Sequence, residues 1–176
     1  MRASFLPRIV LATFFFLSFC AGCGKPETDE AHRVRSLLAA LDDYRPDKRR
    51  AAALELGQLE YHPATRRLIE LLYDVREDVR LAAATALGQL KSREAVQALI
   101  SQLTSDAWNM RRTVVESLGQ IGDPSTIPAL GRTLEDENGT VAASSALALA
   151  KTGAAAFGAL AAALNLSLIH ISEPTR

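Results

Sequence analysis

The stretch Asp78-Val79-Arg80-Leu81-Ala82-Ala83-Ala84-Thr85-Ala86-Leu87-Gly88-Gln89-Leu90 decides the fold. Val79, Ala83, Leu87 and Leu90 recur at three- and four-residue spacing, which sets side chains on one face of an α-helix. Ala and Leu are strong helix formers and no proline interrupts the run, so propensity and pattern agree. Asp78, just ahead of the first apolar residue, is placed to cap the helix N-terminus.

Stepping 31 residues in either direction meets the same pattern. Leu56-Gly57-Gln58, Leu87-Gly88-Gln89 and Leu118-Gly119-Gln120 coincide, with a weaker copy at Leu149-Ala150-Lys151. Arg49, Arg80 and Arg111 share a column, where the fourth copy has Ala142. Asp43, Asp74 and Asp136 share another, in which Ser105 is the exception. Leu37, Leu68, Leu99 and Leu130 align, and so do Leu41, Leu72, Leu103 and Leu134. A period of this length marks a repeat architecture.

Each copy holds two helical patterns. In the second, Leu68, Ile69 and Leu72 mark a first helix, A; a turn carrying Asp74 and Glu77-Asp78 follows, then the helix B quoted above. Gly122-Asp123-Pro124-Ser125 closes the third copy, and Pro63 punctuates the first. A lone pair of such helices cannot bury both its faces, so neighbours must stack. The two Leu columns are expected to hold the stack, each buried Leu contributing roughly 1.5–3 kcal/mol. Glycine near the end of helix B costs about 1 kcal/mol relative to Ala. Its recurrence at Gly57, Gly88 and Gly119 calls for a left-handed cap or a close neighbouring helix. Ala150 in the fourth copy is small but tolerates positive φ poorly, which favours close packing.

These columns resemble the short HEAT-like repeats of phycobilisome lyases, whose pattern reads D…VRxxAAxALGxL. The resemblance covers residues 32–165, four repeats and the first helix of a fifth. It implies an all-α chain folded as a right-handed α-solenoid of stacked helix pairs. It implies no particular activity, because such repeats serve enzymes, adaptors and scaffolds alike.

Residues 1–22 read as an export signal: Arg2 and Arg8 precede the apolar run from Ile9 to Phe19, which is too short to span a bilayer. Cys20-Ala21-Gly22-Cys23 resembles the lipobox of bacterial lipoproteins, with Cys20 in place of the usual Leu. That resemblance implies lipidation at Cys23 and anchoring to a membrane. Gly24 rather than Asp in the next position resembles sorting to the periplasmic face of the outer membrane. Residues 23–31 are polar, with Gly24 and Pro26, and read as a flexible tether. No cysteine follows Cys23, so disulfides and thiol catalysis are excluded from the repeats. Residues 166–176, LSLIHISEPTR, break the repeat and back-translate to the transposase adapter of sequencing libraries. They are read as a non-native tail that truncates the fifth repeat, and His170 within them carries no functional meaning.

Without the export segment and tail, 17 basic residues face 19 acidic ones. There is no basic excess to attract a phosphate backbone, so nucleic acid is not an expected partner. The Arg column admits two readings: a ladder for bound anions, or guanidiniums paired with turn carboxylates such as Asp43 and Asp74, the reading that the matching Asp column favours. HEAT-repeat hydroxylases that carry two irons use His-Glu pairs, but neither His32 nor His62 is followed by Glu. No catalytic residue, cofactor or metal site is therefore assigned. Bilin lyases share the repeat pattern, although an exported homologue is not expected to meet their substrates.

What remains is binding. Arg50, Leu81 and Arg112 form one column expected to be exposed on helix B, and Glu55, Ala86 and Ser117 form a second. Trp108, the only Trp, falls in the turn of the third repeat, where it suits either an interface anchor or a cover over the end of the core. The expected function is a membrane-anchored exported scaffold or adaptor for an unidentified protein or peptide. A lyase-like enzyme and a purely structural envelope spacer are the alternatives.

Overall fold

The computed structural model describes residues 29–153, and all regular structure within them is helical. Four helix pairs follow one another: α1 (Asp29–Ala40) with α2 (Pro46–Gln58), α3 (Thr65–Leu71) with α4 (Glu77–Gln89), and α5 (Val96–Ser101) with α6 (Trp108–Ile121). The fourth is α7 (Ile127–Arg132) with α8, which runs from residue 139 to the last described residue, 153. The second helices begin at residues 46, 77, 108 and 139, so the 31-residue period is the physical repeat. The pairs stack as an α-solenoid in which α4 packs between α2 and α6. The core between them is aliphatic, built on Leu56, Leu87 and Leu118 from the B helices and Leu68, Leu99 and Leu130 from the A helices, all fully buried. Among the described residues no helix is long and apolar enough to cross a membrane.

The A helices are short. α5 and α7 are bounded on both sides by 3-10 turns, the later ones at Gln102–Thr104 and Thr133–Glu135. This tightening changes one expected Leu column. Leu41 and Leu72 are buried, but Leu103 is only half-buried and Leu134 is 44% exposed. A 3-10 turn advances about 120° per residue, against about 100° for an α-helix, which swings the side chain out of line. Thr133 takes the inward place instead. Its hydroxyl donates to the Leu130 carbonyl (2.9 Å) and sits 2.6 Å from the Ser145 hydroxyl.

Asp78 is not a cap. Arg76 is the N-cap of α4, with extended backbone, and Asp78 is the second residue of the helix. The polar closure comes from further upstream, where Asp74 Oδ1 accepts the Arg76 N–H at 2.9 Å. Asp43 and Asp136 do the same for Arg45 and Asn138, both at 2.9 Å. The Asp column thus folds three of the four turns into the conformation that launches helix B, and Ser105 stands in its place in the third.

The glycine column marks close approach. A Cβ added to Gly57 would lie 2.7 Å from Ala86 Cα, and one on Gly88 would lie 2.9 Å from Ser117 Cα. None of the three has positive φ; the left-handed residues come three positions later, at Glu60 (φ 49°), Lys91 (φ 48°) and Gly122 (φ 66°). The same contact corrects the second column expected to be exposed. Ala86 and Ser117 are 0% and 2% exposed, because each faces the glycine of the preceding repeat. Glu55, which has no earlier helix B against it among the described residues, is half-buried and accepts from Arg33 Nε of α1 (2.6 Å).

Helix α1 begins at Asp29, so the last three residues of the 23–31 tether belong to the first repeat. Cys23, the export signal, the end of the fifth-repeat segment and the 166–176 tail lie outside the described residues.

Candidate functional site

The turns between A and B helices line up along one edge of the solenoid, and the Arg column sits beneath them. Arg49 uses Nη1 for two carbonyls of its own turn, Asp43 (2.8 Å) and Tyr44 (3.0 Å). Its Nε and Nη2 reach across the repeat boundary to the Asp74 carboxylate at 2.7 and 2.9 Å. Arg111 repeats this with Ser105 and Asp106 carbonyls (2.8 and 3.1 Å) and with Asp136 (2.7 and 2.8 Å). Each guanidinium therefore ties one turn to the next through a two-point contact with a carboxylate.

These carboxyls are electrostatically committed. The Arg49 side chain holds Asp74 below the ordinary carboxylate range, although burial pushes the other way, and Arg111 does the same for Asp136. Asp43 is lowered by Arg45 of its own turn, whose Nε lies 3.2 Å away. Arg49 and Arg111 are raised in return, so both pairs stay ionised at neutral pH. Arg80 differs. It makes the two carbonyl bonds, to Asp74 (2.9 Å) and Val75 (3.2 Å), but the next turn offers Ser105 where the others offer Asp.

The outward face of the B helices carries the other candidates. Arg50 is exposed, while Leu81 and Arg112 are half-buried in the same column. Trp108 is the first residue of α6 rather than part of the turn, and it is 45% exposed. The Arg112 guanidinium lies 5.9 Å from its ring centroid and 3.3 Å from Glu116 Oε1. Trp108 and Arg112 thus form one contact, held from the acidic side by Glu116, with Arg50 and Leu81 standing in the Arg112 column of earlier repeats.

Two residues of this edge escaped the reading from sequence. Tyr44 and Val75 hold one column of the turn and are 85% and 93% exposed. Arg45 lies over the Tyr44 ring, 5.4 Å from its centroid. Large apolar residues between the turn Asp and helix B, 31 residues apart, were the available signal. Beside Val75 runs an open groove of about 490 Å³, lined by Val75, Arg76, Glu77, Asp78, Leu81 and Asn109. It lies where the second and third repeats meet, and Glu77 accepts a hydrogen bond from Asn109 Nδ2 across it (2.6 Å). Among the described residues no group of three or more His, Cys, Asp or Glu side chains is arranged to hold a metal, and both His32 and His62 are exposed.

The phycocyanin lyase complex of CpcE and CpcF from Nostoc sp. PCC7120 is structurally similar, with a TM-score of 0.63 and 26% identity over 78% of this chain and 57% of that one. Human deoxyhypusine hydroxylase in complex with glycerol gives a TM-score of 0.60 and 29% identity, over 68% and 43% of the two chains. An engineered protein gives 0.57 at 21% identity, over 68% and 62%, and speaks to the fold alone. The chain thus spans between 43% and 62% of the length of these neighbours. A search of curated proteins finds no significant match. The family model for HEAT repeats matches residues 34–109, 65–150 and 96–165 in overlapping windows, and the chain belongs to the HEAT-repeat family.

Proposed function

We propose that this protein is an exported, membrane-anchored scaffold that binds a protein or peptide along the turn edge and outward face of its B helices. The observation that carries this reading is the Trp108–Arg112 pair, a half-exposed aromatic ring with a guanidinium over it, beside the groove of the second and third repeats. Trp and Arg are the residue types most enriched where truncation costs binding energy. The packing columns are fixed by the core while the outward positions vary from repeat to repeat, as an individual binding surface requires.

Trp108→Ala and Arg112→Ala are expected to weaken partner capture, read by site-specific crosslinking in the envelope of the host. Helicity and melting temperature should stay near those of the unaltered chain. If both variants unfold the domain, these are core residues and the reading fails. Anchoring rests on the lipobox-like Cys20-Ala21-Gly22-Cys23 and is tested separately. Cys23→Ala should abolish a diacylglycerol mass increment and release the protein from membranes; an unaltered protein that already fractionates as soluble defeats it.

A second reading, a lyase-like enzyme acting on bilins, draws on the likeness to the phycocyanin lyase complex. It requires a bilin absorbance band to appear on the protein when the two are mixed. A structural spacer would respond to deletion of a whole repeat and ignore single surface substitutions.

A further inference from the structure

Arg80 is the rung of the ladder at which the carboxylate is missing. Arg49 and Arg111 each direct Nε and Nη2 at an Asp of the following repeat, at 2.7–2.9 Å. Arg80 is oriented by the same Nη1 bonds to its own turn. Ser105 ends in a hydroxyl, too short to span the repeat boundary as the Asp carboxylates do. Even its bond to its own turn is stretched, 3.4 Å from Ser105 Oγ to the Ala107 N–H, against 2.9 Å at the other three turns. Among the described residues no protein acceptor lies within hydrogen-bonding distance of Arg80 Nε or Nη2. Arg80 as a whole is half-buried.

We propose that Arg80 and Ser105 form a receptor for one carboxylate of the bound partner, an Asp or Glu side chain of a peptide laid across the turns of the second and third repeats. This inference rests on the scaffold reading and specifies the chemistry of its ligand. The chain itself supplies the template, because twice in the same fold this fork closes on a carboxylate in two-point geometry. A rigid guanidinium already fixed by two carbonyls loses little freedom when the acid arrives. The position also matches the groove. Val75, whose carbonyl accepts from Arg80, and Leu81, the next residue along the helix, both line the groove, so the fork lies beside it. Glu77 and Asp78 on the groove wall are engaged with Asn109 and Arg76 and disfavour a second acidic residue there. The fit is to a peptide with a single acid, its apolar contacts confined to Val75 and Leu81.

The test uses the full-length protein and acetate as probe, with the arginine Nε–H resonances followed by NMR at constant ionic strength. One resonance, absent from Arg80→Lys, should shift saturably with acetate. In Ser105→Asp it should be insensitive, because the chain's own carboxylate then fills the fork, and the melting temperature should rise by several degrees. Ser105→Asn supplies the same bulk without the charge and should keep the acetate response. The proposal is overturned if the Arg80 resonance does not saturate, if Ser105→Asp responds like the unaltered chain, or if inorganic phosphate binds more tightly than acetate. Trp108-dependent crosslinking of the partner is scored in the same variants. If it survives in Ser105→Asp, the partner does not use the fork and the inference falls while the scaffold reading stands; if it is absent throughout, the scaffold reading falls by itself.

Discussion

Arg111 holds Asp136 across a repeat boundary by two hydrogen bonds, Nε to Oδ2 at 2.7 Å and Nη2 to Oδ1 at 2.8 Å, while its Nη1 grips the turn that precedes its own helix. Both partners are nearly buried, at 9% and 8% side-chain exposure. The same Asp136 also accepts the Asn138 N–H that starts α8. One pair therefore sets the spacing between turns and the launch angle of a helix, so local turn structure and repeat stacking depend on each other.

Removing one partner should cost far more than an exposed ion pair would. Arg111→Ala leaves the Asp136 carboxylate and two turn carbonyls short of donors, and is expected to lower stability by roughly 2–4 kcal/mol. Arg66→Ala, which breaks the exposed Arg66–Glu70 pair, is expected to cost less than about 0.5 kcal/mol. Urea unfolding of the two variants checks the contrast, and equal losses would refute it.

Acid should dissolve the ladder. Asp74 and Asp136 titrate below the usual range in the folded chain because Arg49 and Arg111 bond to their ionised forms. In the unfolded chain they return to about 3.9. Between those values the folded state binds fewer protons, so stability rises with pH; the gain is complete above about pH 5 and is lost as pH falls through the lowered values. The melting temperature of the unaltered chain should exceed that of the Asp74→Asn, Asp136→Asn double variant at neutral pH. The gap should close toward acid, and a gap independent of pH would contradict the linkage.

The glycine column allows a paired comparison. Gly88→Ala drives a methyl group to within 2.9 Å of Ser117 backbone, and such overpacking typically costs about 1–3 kcal/mol. Gly131→Ala in α7 meets nothing within 4 Å. There the higher helix propensity of Ala should stabilise by about 0.5–1 kcal/mol. Opposite signs in chemical denaturation are the expected result.

The 31-residue columns made the helix pairs and their stacking legible, because a repeat reports its own register several times. Contacts between repeats were harder to read. Ala86 and Ser117 look alike whether a small residue faces water or a neighbouring glycine, and only the stack distinguishes them. Leu134 moved out of its column because a 3-10 turn leaves no trace in apolar spacing. Asp78 carried the usual mark of a cap, yet Asp74, four residues upstream, closes the turn. At the candidate site, Trp108 and Arg112 were visible as residue types, but their stacking and the open fork of Arg80 depend on distances between side chains.

Helix B ends in the left-handed region in three repeats, and only the third uses glycine. Glu60 and Lys91 have φ near 50°, where an L side chain crowds its own backbone, whereas Gly122 at 66° escapes that penalty. The conformation is enforced by the cap itself: the Tyr61 N–H returns to the Leu56 carbonyl (3.1 Å) and the Ser92 N–H to Leu87 (3.2 Å), satisfying carbonyls at the helix end. Lys91→Gly should relieve the strain and raise stability by about 0.5 kcal/mol, the gain being trimmed by the extra freedom glycine has when unfolded. Gly122→Ala should cost about 1–2 kcal/mol. A Cβ at Gly122 meets nothing within 4 Å, so that loss reports backbone strain alone. Thermal unfolding of both variants decides the matter. A destabilised Lys91→Gly would mean that the lysine side chain contributes more than its backbone conformation costs.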